Sequence, residues 1–131
     1  MRLTGGCLCG ALRYAADGEP VNVRACHCEQ CRKATGGAFY ARIMFRQADV
    51  AITGETRAYR SSTRLDRVFC PTCGSTLFSR SADGRQVIGL SLSSLDDRAA
   101  ASPTEHIFVS EKHPWLILAD GLPQYPQRSP Q

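Results

Sequence analysis

The sequence predicts a mostly-β single domain made of several small, coiled antiparallel β-sheets, and three observations carry that prediction. The chain has 131 residues, close to the commonest domain size. Its apolar residues come in short runs bounded by turn residues, the pattern of strands rather than of long helices. Its 11 Gly and 7 Pro supply turns, while 5 Phe and 4 Tyr favour strands. Nothing in the pattern supports alternating β–α–β units, and there is no internal repeat or low-complexity block.

Taken in chain order, strands are expected over residues 11–14, 21–25, 39–45, 50–53, 57–59, 65–69, 76–79, 86–92 and 106–109. Asp83-Gly84 falls between two of them and reads as a hairpin turn. Residues 29–34 predict one helical turn, and residues 95–101 a short helix stopped by Pro103. Phe39 and Tyr40 alternate in their strand, so one of them faces the core. Trp115, the only Trp, is expected in the core.

Composition narrows the class. Hydrophobic residues make up 43% and charged residues 21%, the balance of a soluble globular chain. No apolar run is long enough to span a membrane, so no membrane partner is expected. Residues 1–6 carry no apolar signal core, and a reducing cytoplasm is the expected location. The formal charge is +4, with Arg57, Arg60, Arg64 and Arg67 spread through one stretch but interrupted by Asp66. A nucleic-acid binder needs a concentrated basic stripe, and none is visible.

The cysteines carry the functional argument. There are seven, so pairing into disulfides cannot use them all. In a reducing compartment, clustered cysteines read as metal ligands. They fall in three groups: Cys7-Leu8-Cys9, Cys26-His27-Cys28-Glu29-Gln30-Cys31 and Cys70-Pro71-Thr72-Cys73-Gly74. The third is a metal knuckle, with two sulfurs aimed at one point and Gly74 available for a left-handed turn. A redox dithiol is its rival, but the β–α–β context that motif needs is missing. Cys7 and Cys9 point to one side of an extended segment and can complete a four-thiolate closed site with Cys70 and Cys73. Cys26, Cys28 and Cys31 then form a second site with three thiolates and an open position, the pattern of a catalytic zinc. The alternatives are closure by His27 or His106, or another pairing of the sulfurs. Seven thiolates around two Zn²⁺ ions would bring the formal charge from +4 to about +1, which weakens a nucleic-acid reading further.

The three cysteine motifs, together with Phe69 before the knuckle, His106-Ile107-Phe108-Val109, Pro114-Trp115 and Asp120-Gly121-Leu122-Pro123, resemble the glutathione-dependent formaldehyde-activating enzyme family. Centromere protein V-like proteins resemble the same family. The resemblance runs from Gly5 to about Tyr125. It implies coiled β-sheets built around two zinc ions, with Cys7, Cys9, Cys70 and Cys73 on the structural one and Cys26, Cys28 and Cys31 on the catalytic one. One zinc-binding domain is expected over residues 1–125, and the Pro- and Gln-rich composition from Gln124 onward predicts a flexible C-terminal tail over residues 126–131. The family reaction joins glutathione and formaldehyde to S-hydroxymethylglutathione and is classed with carbon–sulfur lyases. The expected partner is a small, glutathione-like thiol, and a homodimer is compatible with this reading. Arg32, Lys33 and Arg42 are the candidates to bind the thiol's carboxylates. Three thiolates and one Zn²⁺ sum to a single negative charge, a soft centre better suited to hold sulfur than to activate water. The alternatives are a non-enzymatic zinc-binding interaction module and a purely structural domain with both sites closed.

Overall fold

The computed structural model describes residues 1–130. It is a mostly-β single domain with two sheets. A small sheet has the order β1-β2-β5, from Arg2–Gly6, Arg13–Asp17 and Val50–Thr53. A seven-stranded sheet has the order β10-β3-β4-β9-β8-β7-β6. Its strands are β3 (Asn22–Cys26), β4 (Tyr40–Arg46), β6 (Arg57–Ser62), β7 (Leu65–Phe69), β8 (Thr76–Ser81), β9 (Val87–Ser91) and β10 (Glu105–Ile107). All neighbours are antiparallel except β10, which runs parallel to β3 and places Ile107 opposite Cys26.

Strand alternation divides the large sheet into two faces. Ile43 and Phe45 of β4, Val68 of β7 and Ile88 and Leu90 of β9 join the main core, which also takes Leu3, Tyr14 and Ala16 from the small sheet. Burying several such side chains stabilises the domain by about 1.5–3 kcal/mol each. The other face carries Tyr40 and Arg42 of β4, and the β3–β4 register sets Cys26 opposite Tyr40 and Arg24 opposite Arg42. A second, smaller cluster of Cys26, Cys31, Tyr40 and Ile107 forms there.

One strand was not among those expected and one expected helix is absent, for related reasons. Arg2–Gly6 forms β1, although two glycines make it a weak strand candidate by composition. Residues 95–101 form no helix. Leu95 is buried against the main core and bridges Gly5, while the Asp96 N–H donates to the Thr4 carbonyl. The Asp96 carboxylate accepts from Thr4 and Arg13. These bonds hold Leu95 and Asp96 against β1, and the chain then turns, with the Ala100 N–H donating to the Asp97 carbonyl. Trp115 is also not in the core: it is 67% exposed and stacks on His113 at 4.8 Å. Of Phe39 and Tyr40, Tyr40 is the one that is buried.

Part of the segment expected as a tail carries hydrogen bonds. The Phe108 N–H donates to the Gln127 carbonyl, and both the Ser110 N–H and hydroxyl donate to that of Pro126. Gln131 lies outside the described residues.

Candidate metal centres

The first centre joins the chain's start to the β7–β8 hairpin. The sulfurs of Cys7, Cys9, Cys70 and Cys73 all lie within 4.8 Å of one another. The Cys7–Cys9 and Cys9–Cys70 sulfur separations are 3.6 and 3.8 Å. A disulfide needs about 2.05 Å, so these sulfurs are not bonded. A tetrahedral ion with Zn–S near 2.3 Å spaces its sulfurs about 3.8 Å apart, which matches. Local structure aims them. The Gly74 N–H donates to the Cys70 carbonyl at 2.8 Å, and Gly74 has φ +78°, which only glycine adopts cheaply. The Leu12 N–H donates to the Cys7 sulfur. The hydroxyl of Ser75 shares a 3.2 Å bond with Cys73 and helps bring that thiol down to about 5.

The second centre lies at the end of β3. The sulfurs of Cys26, Cys28 and Cys31 lie within 4.8 Å of one another, and no histidine or carboxylate joins them among the described residues. Cys28 caps the helix α1 (Glu29–Thr35), its sulfur accepting from the Cys31 N–H at 3.3 Å. That turn swings Cys31 back beside Cys26. Gly36 ends the helix, and Lys33 pairs with Glu29 one turn earlier. Three sulfurs this close need positive charge, from shared protons or from a metal. The contacts among them pull the Cys28 thiol down to about 2 and push Cys26 up. Cys26 and Cys31 are buried, whereas Cys28 lines a cavity. The donor set fits a thiophilic divalent ion with one position left open.

His27 and His106 do not close this centre. His27 points away from the sulfurs, as the extended spacing requires, and is fully buried. Its Nε2 lies 2.9 Å from Nδ1 of His106, whose Nε2 lies 2.7 Å from the Asp120 carboxylate. The carboxylate end sets the protons: His106 Nε2–H donates to Asp120, so His106 Nδ1 accepts from His27 Nε2–H. Burial pulls His27 down to about 4, which keeps it neutral. The chain of bonds anchors the three-cysteine turn to the C-terminal segment. Sequence spacing could not reveal it, because the partners stand 79 and 14 positions apart.

A cleft opens from Cys28 along the outer face of the large sheet. Its first part, of about 370 Å³, is lined by Cys28, Gln30, Arg64, Arg85, Phe108 and Arg128. A second part, of about 530 Å³, shares Arg64, Arg85, Phe108 and Arg128 and adds Arg24 and Arg42. Charge in this cleft is unbalanced. Glu105 pairs with Arg24, and Asp83 with both Arg64 and Arg85. Arg42 donates to the Asn22 side-chain oxygen at 2.5 Å. Among the described residues no carboxylate pairs with Arg42 or Arg128. Of the three basic candidates from the sequence, only Arg42 lines the cleft. Arg32 donates to the His27 carbonyl, and Lys33 is held by Glu29. Arg64, Arg85 and Arg128 come to the cleft from distant segments. The dispersed basic stretch forms no stripe, since Arg60 pairs with Asp66 and Arg67 is buried.

Gly89 packs beneath Arg42, a residue of the cleft wall. A Cβ there would stand 2.6 Å from Arg42 Cδ and 2.6 Å from the Ser79 hydroxyl. Gly89→Ala is therefore expected to displace Arg42 and cost about 1–3 kcal/mol by overpacking. Thermal melting checks the stability, and binding of a dicarboxylate thiol checks the displaced arginine.

Fold and clusters together define a class: a β-protein with two cysteine clusters that could each hold a metal ion, one of four sulfurs and one of three beside a basic cleft. The family profile of the glutathione-dependent formaldehyde-activating enzymes matches residues 2–111. The chain belongs to that family. It is similar to a Schizosaccharomyces pombe protein named as an uncharacterized lyase, 33% identical over 81 residues. That match takes 62% of this chain and 59% of the yeast protein's length. A Halomonas elongata protein, provisionally named a glutathione-dependent formaldehyde-activating enzyme, is 27% identical over 126 residues, 88% of this chain and 80% of that one. A solved Rhodobacter sphaeroides structure shares the fold, with TM-score 0.60 and 22% identity over 77% of this chain and 92% of that one. No helix of the described residues is long and apolar enough to cross a membrane.

Proposed function

We propose that this chain is a zinc-dependent carbon–sulfur lyase that forms or cleaves the adduct of a small, acidic thiol with formaldehyde, as glutathione does in S-hydroxymethylglutathione. The observation that carries this reading is the meeting of three free sulfurs with a basic cleft at Cys28. Cys7, Cys9, Cys70 and Cys73 hold the structural zinc, and Cys26, Cys28 and Cys31 hold the second. A zinc ion held by the three sulfurs supplies one further coordination position, which favours the thiolate form of a bound thiol. In the forming direction the substrate sulfur bonds to the formaldehyde carbon, the carbonyl bond becomes a C–O single bond, and the thiol proton ends on that oxygen. Arg42 and Arg128 hold the thiol's carboxylates, while Arg64 and Arg85, shared with Asp83, line the same path. Bringing the two reactants together supplies much of the rate, because formaldehyde is already electrophilic.

The test is titration of glutathione and of S-methylglutathione into the chain loaded with two zinc ions. Glutathione is expected to bind at least about tenfold more tightly, since a charge-assisted contact is worth about 1.5–3 kcal/mol. Equal binding of the two would remove the thiol from the metal and overturn the proposal. The cleft has its own prediction. Arg128→Met is expected to raise KM for glutathione about tenfold for the lost carboxylate contact. It should leave 2-mercaptoethanol, which has no carboxylate, unaffected. Steady-state kinetics with both thiols separate the two effects.

A further inference from the structure

We infer that Arg67 sets the charge of the three-cysteine centre and so makes its open position select an anionic sulfur ligand. The inference rests on the reading of Cys26, Cys28 and Cys31 as a divalent-metal site.

Arg67 sits in β7 and is only 6% exposed. Its neighbour Val68 enters the main core, so Arg67 points to the opposite face of the sheet, towards Tyr40 and Cys31. Its Nη1 and Nη2 both donate to the Cys31 sulfur, at 3.5 and 3.6 Å. Its Nε donates to the Ser61 hydroxyl at 3.3 Å, and its Cζ stands 6.0 Å from the Tyr40 ring centre. Among the described residues no carboxylate pairs with it. A guanidinium does not give up its proton, and a buried one needs a counter-charge. Among the described residues, the group beside it that can carry a compensating negative charge is the Cys31 sulfur.

The closed centre shows the contrast. Its sulfurs take bonds from the Leu12 backbone and the Ser75 hydroxyl, and among the described residues no Arg or Lys donates to any of the four. A cationic double donor is thus confined to the centre with an open side. Three thiolates and a divalent ion leave one negative charge, which Arg67 cancels. A fourth thiolate then brings the buried unit to −1 instead of −2, which removes most of the electrostatic objection to an anionic ligand. A neutral ligand gains nothing from the guanidinium. Arg67 also draws electron density from Cys31, as a hydrogen bond to a ligand atom does. It touches no reacting atom and is a positioning residue.

The experiment loads the wild type, Arg67→Lys and Arg67→Met with Co²⁺ and reads three quantities: cobalt per chain, the sulfur-to-cobalt charge-transfer band, and affinities for 2-mercaptoethanol and imidazole. In Arg67→Met the band is expected to move to lower energy, because Cys31 becomes a stronger donor. Its thiol affinity should fall about 10–100-fold, the range for losing a hydrogen bond to a metal ligand, with imidazole affinity unchanged. Arg67→Lys, which keeps the charge, should restore most of the thiol affinity and guards against a Met variant that does not fold. An unmoved band and equal losses for both ligands would overturn the role of Arg67 while leaving the metal site standing. One cobalt per wild-type chain would instead overturn the metal site itself. Two cobalts with no thiol binding by the wild type would overturn both the selection of an anionic sulfur ligand and the proposed thiol chemistry.

Discussion

Cys70→Ser is expected to lower the melting temperature by an amount on the order of 10–20 °C and to remove one metal ion per chain. Cys70 is 1% exposed, and its sulfur meets that of Cys9 across 61 positions of sequence. With a metal bound, as proposed, the four-cysteine cluster is a cross-link that ties the start of the chain to the β7–β8 hairpin. Releasing a link across a loop of about 60 residues returns about 4 kcal/mol of conformational entropy to the unfolded state, by the arithmetic used for disulfides. A domain of this size has only about 5–15 kcal/mol to lose. The serine oxygen does not replace the thiolate, so three sulfurs remain crowded without their cation. Calorimetry beside metal analysis checks the result. A lost ion with an unchanged melting temperature would show that the clip contributes nothing to stability.

Replacing all three of Cys26, Cys28 and Cys31 with Ser is expected to have the opposite profile: a large loss of function with a retained fold. Metal content should fall from two ions to one, and adduct formation from glutathione and formaldehyde by more than about 100-fold. That factor is the upper end of what losing merely an outer hydrogen bond costs at a metal site. The fold survives because the main core lies on the other face of the large sheet, and the smaller cluster around the two buried cysteines is limited to Tyr40, Ile107 and the partly buried Cys28, Phe108 and Tyr125 among the described residues. Ser at position 28 is also a better helix N-cap than Cys, so α1 keeps its start. The main structural cost is Arg67, left buried without its sulfur, at about 1–3 kcal/mol. The melting temperature should therefore fall less than for Cys70→Ser. Metal analysis, circular dichroism and a product assay read the three parts. Activity that persists with one metal would place the chemistry elsewhere.

The strands that were legible in sequence are those with apolar or β-branched runs between turn residues. Val50–Thr53 and Leu65–Phe69 begin and end where expected, and most others shift by one or two residues. The turn of helix after Cys28 was legible too, because its cap and its cysteine spacing are local. β1 was not, because its backbone is held by β2 and by Leu95 rather than by its own side chains. The absent helix at 95–101 is the same event seen from the other strand. The position of Trp115 was misjudged because burial depends on what packs over a residue, which its type does not state.

What could be read without a structure is the ligand chemistry: seven cysteines in three short groups, each spaced to turn its sulfurs to one side within a few residues. Ligand geometry of that kind is set by local backbone, and short spacing encodes it. Which charges meet depends on the folded arrangement of the strands. Sheet order places the Arg67 guanidinium on the Cys31 sulfur across 36 positions, brings Arg42 and Arg128 to one cleft, and leaves Arg32 and Lys33 outside it. Such pairings follow from register and strand order over the whole chain, because a charge acts on whatever lies within a few ångströms, however far away it is in sequence.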